Sequence, residues 1–385
     1  MRELTEKLHT LLEKAVESHE IAGANLLILK NGEELLYTQA GFADRDKGIP
    51  YSRDTISRLF SMSKPVTAAA AMILVERGEL DLGKSLGDIL PAYRNLQVWE
   101  NGKKIPARRN ILVKDLLNMT SGLPYPGMDE SGQEAARVFE EIDRRLYGDA
   151  PLTTMEIADR LGACGLTFHP GDKWMYGTSA DILGAVIEKV SGISLGEFLQ
   201  KELFAPLGMA DTAFYVPAEK QHRLAETYEC VPGGMARYVT NNLGIAYTMH
   251  RPPAFESGGA GLVSTIDDYA KFAAMLINGG QGILSPYTVH MLTAGCLTDW
   301  QRESCQRSWE SMMGLTYGNL MRHMVEPGAA IYHGWAGEYG WDGWLGCYFC
   351  NSPANGITVL MTTQRRDAGT MEITRKLRNV ISANL

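Results

Sequence analysis

Apolar residues recur at helical spacing near the start of the chain. Leu4, Leu8, Leu11, Leu12 and Val16 share one face of an amphipathic helix expected over residues 3–20. The period then shortens to that of strands. Residues 24–29 and 34–40 flank Lys30-Asn31-Gly32-Glu33, and Asn-Gly between two apolar runs signals a hairpin because both central residues take positive φ. From residue 61 to about 208 helical spacing dominates. The run from Pro65 to Val75 is apolar nearly all round, which predicts a buried helix stopped near Gly78. Further helices are predicted over 113–119, 154–161, 180–190 and 195–204. Overlapping capping boxes at Ser264-Thr265-Ile266-Asp267-Asp268 open another that runs to about Ile277. Strand character returns over 314–321, 345–350 and 357–363, and residues 370–384 close the chain as a helix.

Strands at both ends with helices between them predict an α/β (α+β) architecture, in which one sheet assembled from the two termini carries an inserted helical lobe. The expectation is a single two-lobed domain over residues 1–385, with the sheet lobe at roughly 1–60 and 305–385 and the helical lobe at roughly 61–304. A chain of 385 residues is long enough to fill both lobes with apolar core.

Composition narrows the function classes. The net charge is −8 and no Lys/Arg run exceeds a dipeptide, so no nucleic-acid partner is expected. The charged start Met1-Arg2-Glu3-Leu4-Thr5-Glu6-Lys7-Leu8 has no apolar secretory core. The longest apolar stretch, around residues 68–75, is too short to span a bilayer. These features predict a cytoplasmic protein whose six cysteines are reduced thiols. Cys347-Tyr348-Phe349-Cys350 has zinc-like spacing without a matching second pair, so both are read as core cysteines. No H-E-x-x-H, phosphate loop or dinucleotide glycine fingerprint occurs, and neither metal nor cofactor is expected.

Candidate chemistry begins at Ser61-Met62-Ser63-Lys64. At the start of a helix, positions i and i+3 share a face, which sets an amine beside a hydroxyl. A lysine whose pKa is lowered by burial can act as the base for a serine nucleophile. The helix N-terminus also offers N–H groups to a developing oxyanion. The alternative is a helix-capping serine with a surface lysine. Against that stands the apolar helix that follows Lys64 directly, since a lysine entering a core needs a reason.

Several further runs, in order, resemble the class C β-lactamase and penicillin-binding-protein-like serine hydrolases, a group that includes the family VIII carboxylesterases. They are Ser61-Met62-Ser63-Lys64, Gly78-Glu79-Leu80-Asp81-Leu82, Asp115-Leu116-Leu117-Asn118-Met119-Thr120-Ser121-Gly122-Leu123, Pro170-Gly171-Asp172-Lys173-Trp174-Met175-Tyr176, Pro206-Leu207-Gly208-Met209 and Gly258-Gly259-Ala260-Gly261-Leu262-Val263-Ser264-Thr265. The resemblance spans about residues 22–365. It implies an antiparallel sheet flanked by helices and an acyl-enzyme on Ser61. It makes Tyr176 the partner of Lys64, shuttling a proton between Ser61 and the leaving group. A buried tyrosine bonded to a carbonyl is the alternative for Tyr176.

Two motifs depart from the lactamase pattern. Tyr176-Gly177-Thr178 carries Thr178 where an asparagine contacts the substrate's acylamino group. The Lys-Thr-Gly strand is read as Trp335-Ala336-Gly337, an esterase-like variant, with a register placing His333 there as the other option. In that reading the Glu338 backbone N–H joins that of Ser61 in an oxyanion hole. Losing the lysine removes a partner for a substrate carboxylate, and Trp335 offers apolar area that suits a neutral ester. Tyr332, Tyr339, Trp341 and Trp344 either line an apolar pocket or pack in the core. Gly192-Ile193-Ser194-Leu195-Gly196 satisfies G-x-S-x-G but follows a predicted helix instead of a strand, so Ser194 is read as a helix cap.

The sequence therefore predicts a serine hydrolase acting on small-molecule esters. A β-lactam, D-amino-acid peptide or other amide is the alternative substrate, with Arg322, Arg365 or Arg366 as carboxylate partners, and a non-catalytic sensor on the same scaffold is the third option. The motifs specify neither the acyl and alcohol groups nor the oligomeric state.

Overall fold

A computed structural model describes all 385 residues. Its centre is an eight-stranded sheet in which every neighbouring pair is antiparallel. Helix α1 (Arg2–Glu17) precedes β1 (Gly23–Lys30), β2 (Glu33–Asp44) and β3 (Ile49–Pro50). The chain then leaves the sheet through α2 (Ser63–Glu76), α3 (Val113–Asn118), α4 (Glu130–Arg145), α5 (Ser179–Ser191) and α6 (Ile266–Ile277). It returns as β4 (Leu315–Gly318), β5 (Met321–Met324), β6 (Tyr339–Asp342), β7 (Tyr348–Ser352) and β8 (Ile357–Thr363), and ends in α7 (Glu372–Asn384). The strand order is β4-β5-β6-β7-β8-β1-β2-β3, so the N- and C-terminal parts of the chain meet at the β1–β8 pair.

The expected sheet from both termini is present, and its hydrophobic runs show why. Strand β1 is buried along almost its whole length. Leu26 and Ile28 join Leu4, Leu8 and Leu12 of α1 and Ile373, Leu377 and Ile381 of α7 in an outer core. Leu27 and Leu29 face the opposite way, into the large core built with α2, α5 and α6. A strand buried on both faces loses polar/apolar alternation, hence the continuous apolar run. The β1–β2 turn is Asn31-Gly32, both at positive φ as its sequence requires.

Boundaries differ in places. The strand expected over 314–321 is a hairpin, β4–β5, turned at Asn319 and Leu320, both in the left-handed region. Helix α4 falls within residues 124–150, where no helix was predicted; its buried face is carried by Ala135, Phe139 and Ile142, while glycine and charged residues fill much of the rest. No helix is long and apolar enough to cross a membrane. All six cysteines are free thiols, and Cys347 and Cys350 are buried.

Candidate active site

Ser61 sits in a 3-10 turn, Phe60–Met62, that runs directly into α2. Phe60 is held at φ 45°, a strained conformation for a residue with a Cβ, of a kind that clusters at functional sites. One helical turn on, Lys64 is completely buried and pairs with no carboxylate. The surface-lysine alternative is therefore wrong. Its Nζ lies 3.1 Å from Ser61 Oγ, 2.8 Å from the Gly259 carbonyl oxygen and 3.3 Å from Tyr125 Oη. Burial pulls the Lys64 ammonium down to about 7, against the opposing attraction of Asp181 and Asp342. That change is worth about 5 kcal/mol against the charged form. At neutral pH a large share of Lys64 is then a free amine with two N–H donors and one lone pair. With the donors spent on Gly259 O and Tyr125 Oη, the lone pair is left for the Ser61 hydroxyl.

Tyr176 comes from the loop before α5, and its ring centroid is 4.6 Å from Lys64 Nζ. Gly177 makes this approach possible, because a Cβ there would stand 1.9 Å from the Leu123 carbonyl oxygen. Burial pushes the Tyr176 phenol well above its usual range, so it is a neutral O–H and not a phenolate. Its oxygen accepts a 3.1 Å hydrogen bond from Trp341 Nε1. Tyr125, five residues beyond the Thr120 that follows α3, is held neutral in the same way, and its ring centroid lies 5.7 Å from that of Tyr176.

The third motif lies elsewhere than the sequence reading placed it. Trp335 packs half-buried in the outer core, with the Arg378 guanidinium 4.8 Å from its ring, on the α1/α7 side of the sheet. His333 is exposed, and its N–H donates to Asn379 Oδ1 on α7. Gly337 is exposed in a turn. The Glu338 N–H already donates to the Trp335 carbonyl oxygen, and its side chain is buried in an ion pair with Arg378. None of the four faces Ser61. The segment that does is Trp341-Asp342-Gly343-Trp344, at the end of β6. Gly343 lets it close on the nucleophile turn, since a Cβ there would lie 2.2 Å from the Leu59 carbonyl oxygen. The Trp344 amide makes no hydrogen bond, which leaves it as the N–H able to serve an oxyanion beside Ser61. Thr178 is wholly buried at the start of α5 with its hydroxyl unpartnered, so it lines no cavity next to Ser61.

Ser61 stands between two cavities. One, of about 540 Å³, is walled by Phe60, Tyr125, Phe139, Leu243 and Trp344. The other, of about 220 Å³, is walled by Tyr176, Trp309, Trp341 and Met312, with Arg322 and Asp342 on its polar side. Asp342 pairs with Arg322 at 2.5 Å and also accepts from Thr370. Arg322 is thus engaged through Nη1, while its Nη2 is buried without a hydrogen-bond partner; Arg365 and Arg366 lie outside both cavities. Elsewhere, Ser194 caps a helix by accepting from the Glu197 N–H, as its sequence context predicted. No group of His, Cys, Asp and Glu is placed to hold a metal ion.

Sequence reasoning left Trp341 and Trp344 between pocket and core, without placing them in the third motif, and missed Tyr125 as a contact of Lys64. Gly340-Trp341-Asp342-Gly343 repeats the spacing of Gly334-Trp335-Ala336-Gly337 six residues later and stands just before the strand-like run that begins at Leu345. That continuity was the usable signal.

Comparison with known proteins agrees with this fold. The family profile described as Beta-lactamase matches residues 8–382. Protein Rv1367c of Mycobacterium tuberculosis (strain ATCC 25618 / H37Rv) is 30% identical over 356 residues, covering 89% of this chain and 86% of that protein. Esterase EstB of Burkholderia gladioli is 29% identical over 373 residues, covering 94% and 90%. Among solved structures, EstCE1, a hydrolase with promiscuous acyltransferase activity, superposes with a TM-score of 0.82 at 24% identity, covering 99% of both chains.

Proposed function

The chain belongs to the beta-lactamase family of serine hydrolases, and from that premise we propose that it is a carboxylesterase forming an acyl-enzyme on Ser61 with small neutral esters. The observation that carries this reading is a fully buried Lys64, in direct ion pair with no carboxylate, whose Nζ stands 3.1 Å from Ser61 Oγ. The free amine takes the Ser61 proton as Oγ attacks the ester carbonyl. The oxyanion is received by the Trp344 and Ser61 amides. As the tetrahedral intermediate collapses, the alcohol leaves with a proton delivered from Lys64 through the Tyr176 hydroxyl. Water, or a second alcohol, then attacks the acyl-serine, loses its proton along the same path and releases the acid or a new ester. EstB and EstCE1 are named for these two outcomes, and both support the reading.

Substrate preference follows from the cavities. Their aromatic walls bury apolar groups on both sides of the reacting carbon. A substrate carboxylate, such as that of a β-lactam, would meet Asp342 in the smaller cavity beside an Arg322 whose Nη1 the Asp342 carboxylate already holds. The test is an intact-mass experiment with a p-nitrophenyl ester of a short acid. A mass increase equal to the acyl group should appear in the wild type and vanish in Ser61→Ala, together with turnover. Turnover retained in Ser61→Ala would sink the reading. Nitrocefin hydrolysis as fast as ester hydrolysis would move the substrate class to β-lactams, and absence of any fluorophosphonate label on Ser61 would favour the non-catalytic sensor.

A further inference from the structure

Lys64 approaches Ser61 because something holds its other contacts in place. The Gly258-Gly259 backbone is clamped between α2 and α5. On the α2 side, the Gly258 carbonyl accepts from Thr67 Oγ1 at 2.7 Å and the Gly259 carbonyl from Lys64 Nζ at 2.8 Å. On the α5 side, Asp181 Oδ1 accepts from the Gly259 N–H at 3.0 Å and from Ser257 Oγ at 2.5 Å. Both glycines are demanded by this fit: a Cβ on Gly258 would lie 2.6 Å from the Ala180 carbonyl oxygen, and one on Gly259 would lie 2.9 Å from Asp181 Oδ2.

From this arrangement we infer that Asp181 is a positioning residue for the reaction. It holds the Gly259 carbonyl so that the Lys64 lone pair faces Ser61, and it serves as the buried counter-charge of Lys64. The inference rests on the reading of Lys64 as the base of Ser61.

Asp181 is itself buried and has no arginine or lysine partner among the ion pairs of the protein. Its position as the third residue of α5 places its charge at the positive end of that helix's dipole. Burial raises its carboxyl, and Lys64 is the foremost influence acting in the other direction. The reverse holds for Lys64, for which Asp181 is the first of two charges opposing burial, ahead of Asp342 at the end of β6. The remaining titratable neighbours are phenols held neutral by burial: Tyr125 and Tyr176 beside the amine, and Tyr93, whose phenol also feels the Asp181 charge. Asp181 and Lys64 therefore hold the N–H and the carbonyl of one residue, Gly259, and each favours the charged form of the other.

Asp181→Asn keeps an oxygen acceptor for Ser257 and Gly259 but removes the charge. Without the anion the ammonium loses its support, so the free amine persists to lower pH. The acid limb of kcat/KM should move down by about one pH unit or more, the effect of a close opposite charge. One unit below the wild-type midpoint, such a variant retains about half of its own plateau where the wild type retains about a tenth. The plateau itself should fall, because the remaining base is weaker. A purely structural role would lower the rate and leave the midpoint where it was; that outcome overturns the inference. A measurement on the wild type covers the case in which the variant does not fold. In protein labelled with ¹³C at lysine Cε and aspartate Cγ, the Lys64 and Asp181 signals should step at the same pH. An Asp181 signal that stays flat while Lys64 titrates overturns the inference as well. Either failure, with turnover still dependent on Ser61, removes the role of Asp181 and leaves the esterase reading standing; turnover by Ser61→Ala removes the reading itself.

Discussion

Replacing Trp341 and Trp335 separately by phenylalanine distinguishes the third motif found at the end of β6 from the one the sequence suggested. Trp341→Phe keeps an aromatic ring among Tyr176, Trp309 and Tyr317, whose centroids lie 5.5, 6.5 and 5.1 Å from that of Trp341. What it deletes is the Nε1–H that donates to Tyr176 Oη at 3.1 Å. A neutral hydrogen bond is worth about 1 kcal/mol net, and a buried polar atom left without its partner costs about 1–3 kcal/mol. If that energy is spent in keeping the phenol oriented in the transition state, kcat/KM falls by about fivefold to about a hundredfold, at ~1.4 kcal/mol per factor of ten. Trp335→Phe leaves a ring over Arg378 in the outer core and touches nothing near Ser61. Its kcat/KM should stay within about twofold of the wild type, with any loss appearing in thermal stability, by about 1 kcal/mol or less for the weakened cation–π contact. The assay is initial-rate hydrolysis of a p-nitrophenyl ester by both variants, with circular dichroism melts alongside. Equal activity losses in the two variants, or an undiminished Trp341→Phe enzyme, would refute the assignment.

Lys64 must be the free amine to accept the Ser61 proton, and burial sets its pKa at about 7. The rate kcat/KM should accordingly rise with pH through that value, and it should stay level on the alkaline side, since burial moves Tyr176 up and away from ionisation; a profile falling from pH 7 to pH 9 would contradict this order of protonation. Glu338→Gln breaks a buried ion pair with Arg378 that lies outside the cleft, so urea unfolding should show a loss of about 3–5 kcal/mol while turnover per folded molecule is kept. Ser194→Ala removes a helix cap and should cost about 1 kcal/mol of stability; a measurable loss of turnover in that variant would revive G-x-S-x-G as a catalytic motif.

Much of the fold was legible because burial imposes a period. Helix α2 is apolar on every side and is buried on nearly every side, and α1 shows the one-sided stripe its position on the sheet demands. The Asn31-Gly32 turn was readable because local backbone geometry alone dictates it. Ser61, Lys64 and Tyr176 could be named from ordered motifs, and the structure brings all three together. The rest depended on non-local packing. Helix α4 buries only Ser131, Gly132, Ala135, Phe139 and Ile142, so its buried face has just three large or apolar anchors, with charges on the rest of the helix. The hairpin turn at Asn319-Leu320 contains no glycine, so the strand seemed to run on. For the third motif, two Gly-Trp-x-Gly runs compete within ten residues, and only the pairing of β6 with β7 tells them apart. That pairing puts Trp341 opposite Phe349, on the face of the sheet toward the main core, and so toward Ser61. Trp335, before the strand begins, belongs to the other face.

Trp341 also shapes what the site can do with charge. A lysine donating to Tyr176 would place a second ammonium beside Lys64, and two like charges ~4 Å apart repel by about 4 kcal/mol at an effective dielectric constant of 20. Such a pair favours a phenolate between them and a substrate carboxylate above them. Trp341 supplies the same hydrogen bond from a neutral N–H. The phenol then keeps its proton and the base role falls to the amine, which burial has already prepared. Asp342, next in the chain, completes the reversal: it neutralises Arg322 and presents a carboxylate to the smaller cavity where a carboxylate-bearing substrate would need a cation. An anion entering there meets the Asp342 carboxylate beside an Arg322 whose charge that carboxylate already matches, whereas a neutral ester meets no like charge. The proposed preference for neutral esters thus rests on two adjacent residues of β6, the first bearing on the proton chemistry and the second on the charge of the substrate.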